Sequence, residues 1–142
     1  MASWKAFETA APELARRVRA SFEAHTHLTI ATLRKDGSPR ISGTEVQFDD
    51  GGLWIGSMAN ARKAQDLQRD PRFALHSGSG EPDEGLADAK VAGRAHEIPN
   101  QEHHKFRLDV TEASIVSLDD AKEHLVIDIW TAAGGVKQVK RK

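Results

Sequence analysis

The chain has no cysteine in its 142 residues, which excludes disulfides, thiolate nucleophiles and cysteine-ligated metal or cluster sites. It also lacks an excess of either charge. Twenty Lys and Arg against 21 Asp and Glu leave a net charge of −1, so no bulk field favours nucleic acid or an anionic membrane. No hydrophobic run is long enough to cross a bilayer. The opening Met-Ala-Ser-Trp-Lys-Ala-Phe-Glu has no signal-peptide core, and a cytoplasmic protein is the expectation. There is no internal repeat, no low-complexity block and no basic-aromatic interleaving of the kind that binds single strands. Adjacent His103 and His104 do not make an i, i+4 metal pair, and Asp49-Asp50 and Asp119-Asp120 sit in turns, so no metal site and no paired catalytic carboxylates are expected. What remains is 39% apolar and 29% charged residues, enough for one soluble domain spanning residues 1–142.

The most informative stretch is residues 53–73. Leu53, Trp54 and Ile55 read as a buried strand that breaks at Gly56-Ser57; a helix begins near Asn60, its expected N-cap, and ends at Asp70-Pro71. Arg62 and Lys63 fall in that helix's first turn, where cations are disfavoured because the helix terminus already carries partial positive charge. A strand end, a hydroxyl, free backbone N–H groups and an Arg-Lys pair make a phosphate cradle. The alternative is a solvated basic patch.

Around this stretch, Pro12 to about Ala24 reads as a helix buried through Leu14, Val18 and Phe22, with Ala11 and Ala15 beside them. Leu28–Leu33, Arg40–Phe48 and Leu53–Ser57, joined at Asp36-Gly37 and Asp49-Asp50-Gly51-Gly52, read as an antiparallel meander. Arg72–Ser77 and Asp88–Ile98 are further strands, separated by a polar loop from Gly78 to Leu86. In the second of these, Ala89, Val91, Gly93 and Ala95 share one face. Asn100 is placed to cap a short helix to about Asp109. Ala113–Leu118, Leu125–Trp130 and Val136–Val139 are the last strands, the Leu125–Trp130 strand partly buried on both faces. The basic tail Lys137, Lys140, Arg141 and Lys142 reads as a frayed terminus. Six to eight antiparallel strands with about three helices remove their edges most readily by closing into a barrel.

The ordered set Leu28–Leu33, Asp36-Gly37-Ser38-Pro39-Arg40, Leu53–Ser57, Arg62-Lys63-Ala64, Asp70-Pro71-Arg72 and Val91-Ala92-Gly93 resembles the pyridoxamine 5′-phosphate oxidase-like, flavin-binding split-barrel superfamily. The resemblance covers roughly residues 12–98, and beyond residue 100 rests on strand pattern alone. It implies a mainly β, split-barrel homodimer with cofactor sites at the interface. Arg62 and Lys63 would hold the cofactor phosphate, Gly56 and Ser57 would line the phosphate and ribityl chain, and Ser42, Gly43 and Thr44 would flank the ring. Arg40 is a candidate phosphate or supporting contact; Met58, Trp54 and Trp130 are candidate linings of the substrate slot, with core packing as the competing role for Trp54. Where pyridoxal-forming members carry a basic residue this chain has Val46, and it ends without their Arg/Trp-rich motif, so vitamin B6 oxidation is not expected. The sequence looks more like actinobacterial branches that include reductases using the deazaflavin coenzyme F420 as well as FMN binders. The implied function is an FMN- or F420-dependent oxidoreductase acting on a small conjugated molecule. The alternatives are a non-enzymatic flavin, deazaflavin or haem binder, for which His76 is a candidate ligand, and a cofactor-free interaction module.

Overall fold

A computed structural model describes residues 3–49, 51–78, 88–99 and 101–142. Two helices, α1 (Trp4–Ala10) and α2 (Pro12–Glu23), precede β1 (Leu28–Leu33), β2 (Pro39–Thr44), β3 (Val46–Asp49) and β4 (Gly52–Ser57). Helix α3 (Arg62–Arg69) follows, then β5 (Arg72–His76), β6 (Asp88–Glu97), β7 (His104–Leu118), β8 (Leu125–Thr131) and β9 (Gly135–Arg141). The chain is a mainly β, antiparallel split barrel with three helices. No described helix is long and apolar enough to cross a membrane.

The sheet runs β2-β1-β5-β6-β7-β4-β3, with β8 and β9 branching from β7. Its two ends, β2 and β3, are consecutive in the chain with only Glu45 between them. The expected strand Arg40–Phe48 is therefore two strands. Its first half pairs with β1 and its second with β4, so the expected meander is two hairpins at opposite ends of the sheet. The cylinder closes by turning this corner and not by a ladder of hydrogen bonds, which is what splits it.

Alternation sets the core. Leu28 and Ile30 of β1, Leu53 and Ile55 of β4, Phe73 and Leu75 of β5, and Ala89 and Val91 of β6 all point inward and are buried. Each fully buried large apolar side chain contributes about 1.5–3 kcal/mol. Helix α2 lays Leu14, Ala15, Val18 and Phe22 on this core as its spacing predicts. Helix α1, too short to announce itself by periodicity, adds Trp4 and Phe7, whose rings meet edge-on 5.1 Å apart. Phe7 also packs 4.7 Å from Trp130, so Trp130 belongs to the core and not to a substrate slot. On β8 the buried face is Val126, Asp128 and Trp130; Ile127 and Ile129 are half-buried and Leu125 is exposed.

Two further expectations give way. The helix expected from Asn100 to Asp109 is strand from His104 onward; Asn100 itself lies outside the described residues. The basic tail is not frayed, since Gly135–Arg141 pairs in full register with β8. Most of the expected Gly78–Leu86 loop also lies outside the described residues. At Ala92/Gly93 the β6–β7 register shifts by a bulge, and a Cβ on Gly93 would collide with the Asp109 carbonyl oxygen, so only glycine fits.

Candidate functional site

Strand β4 delivers Gly56 and Ser57 to the sheet's upper edge, and residues 58–61 turn the chain into α3. The N-cap is Ala61 and not the expected Asn60; no side chain caps the helix, which leaves its first N–H groups for another partner. Arg62 and Lys63 occupy the first turn as expected. Arg62 is exposed. Lys63 is half-buried and reaches across the split to β2, donating from Nζ to the Gly43 carbonyl at 2.8 Å. Burial pushes the Lys63 ammonium below the ordinary lysine value. Neither cation has an acidic partner among the described residues, whereas Arg40 and Arg69 on either side are both paired.

Ser57 is buried alongside Leu53 and Ile55, and its Oγ has no hydrogen-bond partner among the described residues. A buried hydroxyl left unpaired costs roughly 1–3 kcal/mol, which is the signature of a missing acceptor or donor. Ser57 ends β4, and, four residues on, an uncapped helix terminus opens with Arg62 and Lys63 in its first turn, a set of groups whose chemistry suits an anion.

Below the cradle, Asp66 anchors α3. It is 1% exposed and accepts from Thr32 Oγ1 at 2.8 Å and from Arg40 Nε at 2.7 Å, with Arg69 3.3 Å away. Burial alone would raise the Asp66 carboxyl; the hydrogen bonds from Arg40 and Thr32 and the charges of Arg40 and Arg69 outweigh it and hold the carboxyl below the ordinary aspartate value. Arg40 is therefore committed to Asp66, one helical turn from Lys63. On β2, Ser42 is half-buried, Thr44 is buried, and the space a Cβ on Gly43 would take is open.

A cavity of about 610 Å³ adjoins the cradle and shares Gly56, Ser57 and Met58 with it. Its remaining wall comes from Glu45, β3, β4 and residues 101–105. Trp54 lies there and not in the core, with Lys105 Nζ 4.8 Å from its ring centre. Met58 is 79% exposed at the mouth. Sequence reasoning missed His104 and Lys105, because the expected helix would have turned them elsewhere; in the observed ladder they lie opposite Ser57 and Gly56. His76, in contrast, is held by Asp88, with Nε2 2.9 Å from Oδ1. Among the described residues no cluster of three metal-ligating side chains occurs.

The family model described as pyridoxamine 5′-phosphate oxidase matches residues 14–129. The chain belongs to that family. The match runs from α2 into β8, so it extends the family beyond residue 100, where the sequence alone related the chain only by strand pattern, as far as residue 129. No curated protein sequence matches the chain. Among solved structures, PhzG from Burkholderia lata, in complex with tetrahydrophenazine-1-carboxylic acid, superposes with a TM-score of 0.69 at 11% identity, covering 94% of this chain and 93% of that one. A pyridoxamine 5′-phosphate oxidase-related, FMN-binding protein from Nostoc punctiforme gives a TM-score of 0.66 at 11% identity, with 96% of each chain covered. A heme binding protein from Mycobacterium smegmatis gives 0.58 at 15% identity, covering 91% of this chain and 86% of that one. At such identities the likeness is one of fold.

Proposed function

We propose that this protein is an FMN- or coenzyme F420-binding oxidoreductase that transfers hydride to or from a small conjugated molecule. The observation that carries the reading is the buried Ser57 Oγ, with no hydrogen-bond partner among the described residues, shortly before an uncapped helix terminus and two cations that have no carboxylate partner among those residues. Ser57, Lys63 and Arg62 would hold the phosphate; Gly56 and Met58 would border the chain that follows it; Ser42, Gly43 and Thr44 would flank the ring along β2. A bound flavin or deazaflavin supplies the hydride chemistry itself. The protein's part is to bind, orient and exclude water, and the Trp54-lined cavity offers a partly apolar wall for the reacting partner. Val46, in place of a base at the same wall, argues against pyridoxal formation. The cysteine-free composition suits the cytoplasm.

A homodimer fits the outer sheet face. Ile41 is 75% exposed there beside a mostly apolar hollow of about 300 Å³ lined by Ala31, Ala74 and Ala92. A haem-binding reading has the fold of the Mycobacterium smegmatis protein in its favour, but here His76 is engaged by Asp88.

Parallel fluorescence titrations of the apo-protein with FMN and F420, with hemin followed by absorbance, test the reading. Micromolar binding of FMN or F420 that drops about 100-fold or more in the Arg62→Ala, Lys63→Ala variant is expected, since each charge-assisted contact is worth about 1.5–3 kcal/mol. Binding of hemin alone, or equal flavin affinity in the variant, overturns it.

A further inference from the structure

We propose that His104 is a positioning residue for the phosphate cradle, acting through the backbone N–H of Asn60; this rests on the cradle reading above. The turn from β4 into α3 passes through Asn60 at φ 63°, the left-handed region that, after glycine, asparagine tolerates best. Three hydrogen bonds hold the turn. Ala61 N–H donates to the Met58 carbonyl at 3.1 Å, Gln65 Nε2 donates to the Asn60 carbonyl at 3.0 Å, and Asn60 N–H donates to His104 Nε2 at 3.3 Å.

The third bond fixes the state of the imidazole. A backbone N–H only donates, so Nε2 accepts and the ring proton sits on Nδ1. From there it is donated to Glu97 Oε2 at 2.6 Å. The other Glu97 oxygen accepts from Gln68 Nε2 on α3 at 2.8 Å. The hydrogen bonds from Gln68 and His104 hold the Glu97 carboxyl below the ordinary glutamate value, which keeps it a charged acceptor. A relay therefore runs from the body of α3 through β6 and β7 back to the corner that opens α3. His104 also faces Ser57 in the β4–β7 ladder. One ring thus ties down the turn between the Ser57 hydroxyl and the first-turn cations. The bond to Asn60 is spent inside the protein, so His104 shapes the cradle without taking a place in it.

The test compares His104→Ala with His104→Gln, whose side-chain oxygen can accept near the Nε2 position. FMN and inorganic phosphate affinities are read by titration, alongside amide hydrogen exchange in the apo-protein. In His104→Ala both affinities should fall about five- to tenfold, the worth of one hydrogen bond. In His104→Gln they should stay within about twofold of the parent. Adding Asn60→Gly to His104→Ala should recover part of the loss, because glycine takes φ near 63° with less strain than asparagine. Equal loss in the Ala and Gln variants of unchanged melting temperature, or no recovery with glycine, overturns the proposal and points to direct imidazole contact. Exchange at the paired amides of the turn, Asn60, Ala61 and Gln65, should quicken in the Ala variant only. That readout needs no cofactor, so failure of every flavin to bind sinks the cradle reading while exchange still decides the role of His104.

Discussion

Replacing Ser57 by alanine should move stability and affinity in opposite directions. Its Oγ is buried and has no partner among the described residues, so the apo-protein carries a desolvated hydroxyl that gains no hydrogen bond from them. Removing it relieves part of a penalty of about 1–3 kcal/mol and leaves only a small void; a gain of about 1 kcal/mol is the expected net. For 142 residues the unfolding entropy is about 0.3 kcal/mol/K, so the apo melting temperature should rise by about 3 °C. The same change deletes a donor to the phosphate, a charge-assisted bond of about 1.5–3 kcal/mol, or a loss of about 10- to 150-fold in FMN affinity. Differential scanning calorimetry without ligand and a fluorescence titration read the two halves. A variant that melts lower than the parent, or binds FMN as tightly, would refute the placing of Ser57 in a ligand site. An ordinary packing residue would lose stability and leave affinity alone.

Asp66→Asn should destabilise by about 3–5 kcal/mol in urea unfolding, because it strands the Arg40 guanidinium against a buried amide. Acid should weaken the parent in a defined window. Asp66 lies below its ordinary value, and Asp70 is lowered to about 2 by its side-chain and backbone hydrogen bonds with Arg72. Both contributions are complete above the unfolded aspartate value of about 3.9 and are lost as pH falls through the folded values. A melting temperature that is flat down to about pH 5 and then drops is expected, with a shallower drop in Asp66→Asn. Gly93→Ala should cost about 1–3 kcal/mol or more, read by the same unfolding curves, since its Cβ meets the Asp109 backbone. Ile41→Glu should convert a dimer to monomer in sedimentation velocity and leave the fold intact by circular dichroism, as Ile41 is already 75% exposed in the single chain.

Where one face of a strand is buried, the sequence was readable. The pattern of β6, with Ala89, Val91, Gly93 and Ala95 inward, is plain alternation, and α2 shows four-residue spacing throughout. Strand β7 failed because its alternation changes phase part-way. Phe106, Leu108 and Val110 are buried on one phase, and beyond the register shift opposite Ala92/Gly93 the buried positions are Ala113 and Ile115, so no single period runs through the strand. Asp109 is buried on the other face, where Arg107 Nε lies 3.3 Å and His96 Nε2 3.0 Å from its carboxylate, partners that no periodicity announces. The single strand expected at Arg40–Phe48 failed for another reason: nothing local to Glu45 tells a continuing strand from one that changes sheet neighbours. The first-turn placement of Arg62 and Lys63 was legible from the helical pattern that ends at Asp70-Pro71. The contacts of His104 were not, since they arise only when β4, β6 and β7 lie side by side.

The corner at Glu45 has a mechanical consequence. Every other junction in the cylinder is a ladder whose parting breaks several backbone hydrogen bonds, but the seam beside β2 is bridged by side chains such as Lys63 on Gly43. Breathing along it strains a few dihedrals around one residue and leaves all the ladders whole. The barrel can therefore widen at the cradle on the fast timescale of loop motion while its core exchanges amide protons only on global unfolding. Entry of a ligand and integrity of the fold are separate events in this architecture, set by different bonds.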